Sequence, residues 1–522
     1  MESSPERQPP PADGGYSAYL LAVLVLVYVF NFLDRQIVSI LAERIKADIG
    51  ATDAQIGFLY GTAFAVFFAV FGIPLGRLAD LWDRRRLIAI GLAFWSAMTA
   101  LSGLARSFNQ LAAARIGVGV GEASASPAAF SMLSDSFPPA RRATVLAIYS
   151  SGIYIGAGLG LFVGGLIVDR WDAAHAGTVA PFGLRGWQVA FMAVGLPGLL
   201  LSLWVSTLRE PVRGAQDGIV ATPEPHPFRK FGTELRAVVP PLTLLHLWLE
   251  RVGGRAIAAN LAVAAALAVV ATLLTHVFGT PAQWIALAVG AYAAYSWVEE
   301  LKRRDPPAER LILRTPSLRR AALGFSFLAF AGYGVGFWLP PFLIRVHGAS
   351  ASEVGLVVGG SAALAGWLGV TTGGVLADRF RQRSPNGRLW VGLLNAILPV
   401  PMAAVLFTTN DLRLAYLLSF PLTLASSLWI GPAASTVQDL VLPRMRGSAS
   451  AAYLLVVTFI GLAMGPYTIG TLSVVFGDLR TALLLSLGAN VFAAVFLLLA
   501  AGRLATDEQS LLARARAAGE PV

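Results

Sequence analysis

Long runs of apolar residues alternate with short polar connectors along most of the chain. A run of about 20 apolar residues is long enough to cross the hydrocarbon core of a bilayer. One set of such runs lies near 18–43, 55–78, 87–105, 109–133, 143–168 and 187–208. A second set lies near 320–344, 354–376, 389–408, 412–442, 449–475 and 481–502. The pattern predicts an all-α integral membrane protein with two six-helix bundles.

The segment between the two sets is predicted to contain two extra spans. Residues 256–278 and 282–298 are apolar and are joined by the uncharged turn GTPAQ, which brings the predicted total to fourteen. The stretch VVPPLTLLHLWLER, residues 238–251, is too short to cross and is predicted to lie along the membrane surface. The predicted domains are a disordered tail at 1–17, a bundle at 18–208, a central linker at 209–317, a second bundle at 318–504 and a C-terminal tail at 505–522.

Composition narrows the class of protein. Of the 522 residues, 56% are hydrophobic and 13% are charged, whereas a soluble domain carries about 25% charged residues. The chain has no cysteine, which excludes disulfides, thiolate metal sites and a cysteine nucleophile. Its five histidines are scattered, without a pair at metal-ligand spacing, so we expect no metal and no bound cofactor.

The net charge of +10 is distributed unevenly across the predicted membrane. Most lysines and arginines lie in connectors on the side that holds the N-terminus, for example at 84–86 and 302–320. Basic loops stay in the cytoplasm, so both termini are predicted to be cytoplasmic. Basic residues spread over many loops of one face do not fit a nucleic-acid partner. The abundance of arginine favours a bacterial source, and we expect a monomer in the bacterial inner membrane.

The two predicted bundles share short sequence motifs. GRLADLWDRRR, which starts at Gly76, corresponds to GVLADRFRQR, which starts at Gly374. Further along, FPPARRAT at 137–144 corresponds to LPRMRGSA at 442–449. An internal repeat of this kind indicates two homologous halves, an arrangement that is common among secondary transporters.

Four charged residues lie inside the apolar runs: Asp34, Arg35, Arg115 and Glu122. Each costs roughly 3 kcal/mol at the centre of a membrane helix, so they must pair or face water. Asp34 and Arg35 are rotated by about 100° from each other and need partners on other helices. Asp34 and Glu122 lie at similar depths, on the order of 15 to 20 Å from the outer ends of their spans. We therefore predict one cluster of two acids and two bases.

This cluster has two possible roles. Protonation of an acid would release an arginine, so the cluster can act as a switch that couples proton binding to substrate binding. Alternatively, it is a neutral structural network that fixes helix register and does not titrate.

The motif GRLADLWDRRRL, residues 76–87, resembles the signature of the major facilitator superfamily, with Asp83 in place of the usual glycine. In that superfamily the motif follows the second helix of each half and holds the halves together when the cytoplasmic side is closed. The resemblance implies a major facilitator fold with two pseudo-symmetric six-helix bundles. The residues that it implies for gating are Gly76, Asp80, Arg84, Arg85, Arg141, Gly374 and Asp378.

Within that superfamily the chain resembles the spinster family most. The resemblance rests on FNFLDRQI at 30–37 and on RIGVGVGEASASPA at 115–128. It implies export of a lysophospholipid or sphingoid lipid in exchange for protons, driven by the proton gradient. It also implies Asp34 as proton acceptor, Glu122 as second proton site or substrate contact, and roles for Arg35 and Arg115 in the charge network and at an anionic head group.

Glycines and aromatic residues suggest further roles. GIYIGAGLGLFVGG at 152–165 allows close helix packing. It also resembles the glycine-rich fifth-helix motif of antiporters in the superfamily, although Ala157 stands where that motif has proline. In FAGYGVGFWLPPF at 330–342 the aromatic side chains are either anchors at the membrane interface or a wall for a lipid tail. The residues proposed to line a substrate cavity are Asn31, Tyr60, Tyr154, Tyr333 and Phe337.

Other functions remain to be separated from lipid export. A proton-coupled symporter could use Arg35 and Arg115 to bind the carboxylate of a small organic anion. A membrane sensor or receptor on the same fold is a second alternative. No phosphate-binding loop is present, so an ATP-driven pump is not expected. The expected partners are an amphipathic small molecule, protons and membrane lipids, and no enzymatic activity is expected.

Overall fold

The computed structural model describes residues 14–214, 216 and 224–520, and these residues form helices and no strands. The N-terminal bundle consists of α1 (Gly14–Ile49), α2 (Asp53–Tyr60), α3 (Thr62–Leu81), α4 (Arg84–Ser102), α5 (Phe108–Glu122), α6 (Ala125–Ser136), α7 (Pro139–Ala174) and α8 (Gly186–Ser206). Short breaks divide two of the predicted spans, one at Gly61 and the other at Ala123 and Ser124.

The linker and the second bundle follow the same pattern of long, interrupted helices. The linker contains α9 (Pro227–Val238), α10 (Leu242–Leu249), α11 (Gly254–Phe278), α12 (Pro281–Arg304) and α13 (Pro306–Leu313). The C-terminal bundle contains α14 (Pro316–His347), α15 (Ala351–Arg383), α16 (Gly387–Ile397), α17 (Pro399–Thr408), α18 (Leu412–Ser426), α19 (Ile430–Asp439), α20 (Arg446–Val456), a π-helical turn (Val457–Ala463), α21 (Met464–Phe476), α22 (Leu479–Ser486), α23 (Gly488–Gln509) and α24 (Leu511–Ala517).

Local sequence signals explain where several helices begin. Thr52 accepts a hydrogen bond from Gln55 N at the start of α2, and the Gln55 side chain accepts one from Thr52 N in return. Asp83 caps α4 by accepting from Arg86 N. The residue that departs from the family motif therefore has a structural reason, since an acidic cap stabilises the helix that carries the three arginines.

Eleven helices in the described part of the chain are long and apolar enough to cross a membrane, compared with fourteen predicted spans. The three predicted spans that do not qualify are α4, the α5–α6 pair and α12. Arginines lower the hydropathy of α4, and a break after Glu122 divides α5 from α6. Polar side chains such as Gln283 and Ser296 lower the hydropathy of α12, and both are buried against other helices.

The boundaries of the predicted tails differ from those in the structure. Helix α1 begins at Gly14, inside the predicted disordered tail, and residues 1–13 lie outside the described part. At the other end the chain stays helical to Ala517. Arg514 Nη1 donates to Thr315 Oγ1 at 2.6 Å, which ties this last segment to the start of α14.

The predicted interfacial segment at 238–251 is divided between two helices. Val238 ends α9, where it packs in an apolar cluster with Val66 of α3. Helix α10 buries Thr243 and His246 but leaves Trp248 66% exposed. One face of α10 is therefore attached to the protein while the other is free, as expected for a helix at a membrane surface.

Within the described residues, the direct polar contacts between the two bundles lie towards one end. We call the end that holds Gly14 and the linker helix α9 the basic end, and the opposite end the far end. One apolar core extends through both bundles towards the far end, whereas the C-terminal bundle has a separate core towards the basic end. In the described residues the hydrogen bonds and ion pairs between bundles lie in the far half, for example Thr62 Oγ1 to Ala463 O at 2.9 Å. A cleft between the bundles therefore opens towards the basic end.

Candidate functional site

Helices α1 and α5 carry the four intramembrane charges into the centre of the N-terminal bundle. Asp34 lies about 22 Å along α1 from its end at Ile49. Asp34, Arg115 and Glu122 are 2%, 0% and 0% exposed. Arg35 is the exception, because 11% of its side chain remains accessible.

The four charges form two ion pairs between the helices. Arg115 Nη1 donates to Asp34 Oδ1 at 2.9 Å, and Arg35 Nη2 donates to Glu122 Oε2 at 2.8 Å. Each acid thus pairs with the base of the other helix, because neighbours in α1 point in different directions and residues two turns apart in α5 share a face. The structure brings all four residues together in one cluster, as predicted, with Asp34 slightly deeper than predicted.

Further side chains fix the position of each ion pair. Thr99 of α4 is buried and donates a hydrogen bond to Asp34 Oδ2. The Arg35 guanidinium lies over three aromatic rings, with its Cζ 4.6 Å from Phe32, 4.1 Å from Phe64 and 5.4 Å from Phe68. These contacts favour the charged guanidinium through the ring quadrupoles. Sequence analysis missed Thr99 and the phenylalanines, although Phe64 and Phe68 are one helical turn apart.

Several polar atoms of the cluster have no partner among the described residues. Glu122 Oε1 is buried and accepts no hydrogen bond, and Arg115 Nε and Nη2 are buried and donate none. Glu122 therefore has one oxygen engaged with Arg35 and one available for a proton or a hydrogen-bond donor. Arg115 likewise retains N–H groups for an acceptor.

Two of the residues proposed to line a cavity are partly exposed. Tyr154 and Tyr333 retain accessible surface, whereas Asn31, Tyr60 and Phe337 are buried. Tyr60 stacks on Phe337 of the other bundle, with 4.3 Å between ring centroids.

The contacts of this stack close the cleft on its far side. Tyr60 Oη donates to Gln36 Oε1 at 3.1 Å, and Ser39 Oγ donates to the carbonyl of Phe337. Phe337 is therefore not an anchor at the membrane interface, and Trp338, also completely buried, is not one either.

In the gating motif of the first half, Arg84 makes ion pairs within its own bundle. Arg84 is completely buried and pairs with Asp135 and with Glu210, the latter at 2.7 Å. Arg85 donates to the carbonyl of Leu208 at 2.9 Å. The motif arginines therefore connect α4 to α6 and to the segment after α8.

The other motif residues lie at the basic end, where no hydrogen bond or ion pair of the described residues links them to the opposite bundle. Asp80 is 3.8 Å from Arg77 one turn earlier. Gly76 approaches Pro127 of α6, and space is open beside Gly374. Arg141 and Asp378 are exposed at the same end. Because the cleft is open here, the role of these residues in holding the halves together stays a prediction.

A second charge cluster, which sequence analysis missed, connects the two bundles at the far end. Arg345 of α14 donates to Glu43 at 2.6 Å and to Asp53 at 2.7 Å. Ser473 of α21 donates to the same Asp53 at 2.7 Å, and Lys46 Nζ is 2.5 Å from it. We call these five residues the far-end lock. It holds the cleft closed on this side.

No group of three or more metal-ligating side chains occurs in the described residues. Two helical bundles, a cleft between them and buried charges at mid-depth together define a class of protein, the secondary transporters that move a small molecule by alternating access.

Comparison with known proteins identifies the family. Residues 24–466 match the model of the Major Facilitator Superfamily, and the chain belongs to this family. It is therefore a multi-pass membrane transporter and not an enzyme.

The individual relatives include efflux and spinster proteins. The chain is 29% identical over 482 residues to an MFS-type efflux pump of Mycolicibacterium smegmatis. This alignment covers 92% of this chain and 88% of that protein. It is 26% identical to human protein spinster homolog 1 over 88% of this chain and 73% of that protein. A crystal structure of a bacterial homolog of the human lysosomal transporter spinster, inward-facing and unoccupied, superposes with a TM-score of 0.67 at 26% identity, over 96% of this chain and 99% of that chain.

Proposed function

We propose that the protein exports or flips an amphipathic lipid-like molecule, of the lysophospholipid or sphingoid type, in exchange for protons. Asp34 and Glu122 bind the protons, and Arg35 and Arg115 bind the head group. The basic end faces the cytoplasm, the membrane is the bacterial inner membrane, and the chain works as a monomer.

The observation that carries this proposal is the pair of crossed ion pairs, with unpaired polar atoms, in the centre of the N-terminal bundle. A positively charged part of the head group, such as an ammonium, stabilises the ionised carboxylate of Asp34 or Glu122 and favours release of its proton. Conversely, protonation removes the charge that attracts this group and favours departure of the substrate. Substrate and proton thus compete for the same two carboxylates, which is the requirement for exchange.

One relative supports the direction of transport, and the surroundings of Arg35 support the class of substrate. One is described as an efflux pump, and others are spinster proteins, one of them homologous to a lysosomal transporter. The aromatic box around Arg35, formed by Phe32, Phe64 and Phe68, places apolar surface beside a cation. Such a surface suits a molecule with a charged head and an apolar tail.

The test is proton flux in proteoliposomes that contain a pH-sensitive dye. Lysophospholipids, sphingoid lipids and small organic anions are added in turn to wild type, Asp34→Asn and Glu122→Gln. We expect a lipid to evoke proton movement in wild type, and we expect Asp34→Asn to abolish it while the variant elutes as a folded monomer. Flux with a small anion alone would instead support a symporter. Lipid-evoked flux that survives both substitutions would show that the cluster is only structural.

A further inference from the structure

Helix α12 of the linker lies across one of the two seams between the bundles. At the first seam α3 faces α20, the π-helical turn and α21. Gln283 of α12 donates to Met464 Sδ at 3.6 Å, and the Trp284 ring meets Tyr467 edge-on, with 5.6 Å between centroids. Further along α12, Gly290 lies directly against Phe459.

The same helix contacts the N-terminal bundle. A Cβ atom on Gly290 would lie 2.8 Å from Val66 Cγ1 of α3, so α12 touches both sides of the seam at one residue. One turn later Ala293 is 1% exposed and shares an apolar cluster with Val66 and Val70. Because Phe459 and Val66 belong to different bundles, α12 fills the space between them.

Contacts with both sides continue to the basic end. Trp297 and Leu301 pack against the separate core of the C-terminal bundle. Arg304 pairs with Glu234 of α9 at 2.6 Å, and Asp305 accepts from Arg444 Nη1 at 2.5 Å. From Gln283 to Asp305 the contacts extend about 33 Å along the helix, close to the roughly 30 Å thickness of the hydrocarbon core. Helix α12 therefore covers the first seam from the level of Tyr467 to the basic end.

The second seam, between α7 and α15, has close contacts between the bundles themselves. Gly158 lies against Gly359, Gly165 against Ala351, and Tyr154 against Gly366. These contacts lie between the far end and the middle of the two helices. Close packing of glycines holds the helices together there without a covering helix.

Between Tyr154 and the basic end, the second seam is open. Space is free beside Gly374 of α15, two turns beyond Gly366. On α7, Ala147 is exposed and Ser151 is half-buried. Ala147 lies four positions before Ser151, and Ser151 lies three positions before Tyr154. All three residues therefore share one face of α7. The opening lies in the half of the membrane beside the cleft.

We infer that α12 seals the first seam permanently, and that the substrate enters the cleft from the adjacent leaflet through the second seam, between Ala147, Ser151 and Gly374. The occupant of this opening is the single apolar tail of an amphipath, with the head group at the charge cluster. This inference rests on the proposed function, because a substrate dissolved in water has no need of a lateral opening.

The first part of the test blocks the second seam. The chain has no natural cysteine, so a single Ser151→Cys or Ala147→Cys variant can be alkylated selectively with a bulky maleimide. We expect lysophospholipid-evoked proton flux to fall by at least about tenfold after alkylation, since the adduct fills the opening. Leu200→Cys, on the lipid-facing side of α8, carries the same adduct as matched control and is expected to keep its flux. Full flux with adducts at both Ser151 and Ala147 would overturn the inference.

The second part of the test crosslinks α12 to one bundle at a time. The pairs Gln283→Cys with Met464→Cys and Val70→Cys with Ala293→Cys attach α12 to the C-terminal and the N-terminal bundle respectively. A short reversible bis-methanethiosulfonate reagent crosslinks each pair separately, so that the other side of α12 stays free to slide. We expect each crosslink to change flux by less than about twofold. Loss of flux that reductant restores would show that the substrate passes beside α12.

A third measurement separates this inference from the proposed function. If no lipid evokes flux in wild type, the proposed function fails, and access from the bilayer is measured directly. A bimane fluorophore on Ser151→Cys is expected to lose fluorescence in bilayers of brominated phospholipid. A bimane on Phe71→Cys, in the apolar cluster beneath α12, is expected to retain its fluorescence. Equal quenching at the two positions would overturn the sealed seam whatever the substrate is.

Discussion

The protein holds two clusters of charged residues that differ in burial and in what they connect. The central cluster of Asp34, Arg35, Arg115 and Glu122 lies inside one bundle and is almost completely buried. The far-end lock connects two bundles, and its Arg345 side chain is 26% exposed. A buried pair leaves an uncompensated charge when it is broken, whereas a partly exposed arginine such as Arg345 can exchange its partner for water. The first therefore suits the coupling of proton and substrate, and the second suits the holding of one conformation.

The largest effect is expected for Asp34→Ala. This change leaves Arg115 charged and unpaired in the centre of the bundle, which costs about 3–5 kcal/mol of stability. We expect a marked decrease in melting temperature in detergent together with loss of transport, measured by thermal unfolding and by proteoliposome flux.

A double variant separates the two losses. Asp34→Asn with Arg115→Gln removes both charges of the pair, so stability is expected to recover towards wild type while transport stays absent. If the double variant is as unstable as Asp34→Ala, then the ion pair is not the reason for the lost stability.

A smaller effect on stability, with a weaker pH dependence of substrate binding, is expected for Glu122→Gln. The amide oxygen of glutamine still accepts a hydrogen bond from Arg35, but the side chain takes up no proton. Substrate affinity of wild type is expected to change with pH, and that of Glu122→Gln is expected to change less over the same range, because Asp34 still takes up a proton. Titrating binding by fluorescence at several pH values tests this, and an unchanged pH dependence in the variant would remove Glu122 from the coupling.

A moderate shift in the ratio of the two conformations is expected for Arg345→Ala. Loss of its contacts to Glu43 and Asp53 weakens the closed far end by about 1–2 kcal/mol, roughly a 5- to 30-fold change in the ratio of the two conformations. Spin labels on Asn109→Cys and Phe476→Cys report the opening as a longer distance between the bundles. Arg413→Ala, a surface arginine at the same end, is the matched control and should leave the distance distribution unchanged. Identical distributions in wild type and Arg345→Ala would contradict the lock.

The smallest effect is expected at the surface pair of Asp305 and Arg444. The hydrogen bond from Arg444 lowers the pKa of Asp305. A lowered pKa contributes stability above the unfolded value of about 4, and this contribution is lost as the pH falls through the folded value. Arg444→Gln should therefore destabilise by less than about 1 kcal/mol at pH 7. The difference from wild type should shrink in unfolding experiments near pH 3, and a difference that grows there would contradict the pair.

The two clusters also differ in how visible they are in the sequence. Asp34, Arg35, Arg115 and Glu122 stand out because a charge inside an apolar run is rare and expensive. The residues of the far-end lock lie at the ends of spans, where charged residues are ordinary, so no sequence signal distinguishes Arg345 from other loop arginines. Thr99 was missed for a similar reason, since a threonine is common in membrane helices and its partner is far away in the chain.

The fold was predictable to the level of spans and halves but not of helix breaks. The apolar pattern continues through the breaks at Gly61 and Leu398, because burial there depends on neighbouring helices and not on local periodicity. Helix α13 was not predicted either. Its residues Leu311 and Ile312 pack into the core of the C-terminal bundle, a contact that only the folded chain brings about.

The central claim is that substrate and protons compete for the same buried carboxylates, Asp34 and Glu122. The most direct measurement is the release of protons by purified protein in weakly buffered detergent when a transported lipid is added, followed with a pH-sensitive dye. The account predicts release from wild type, little or none from Asp34→Asn, and a reduced amount from Glu122→Gln. Equal proton release from wild type and both variants would contradict it.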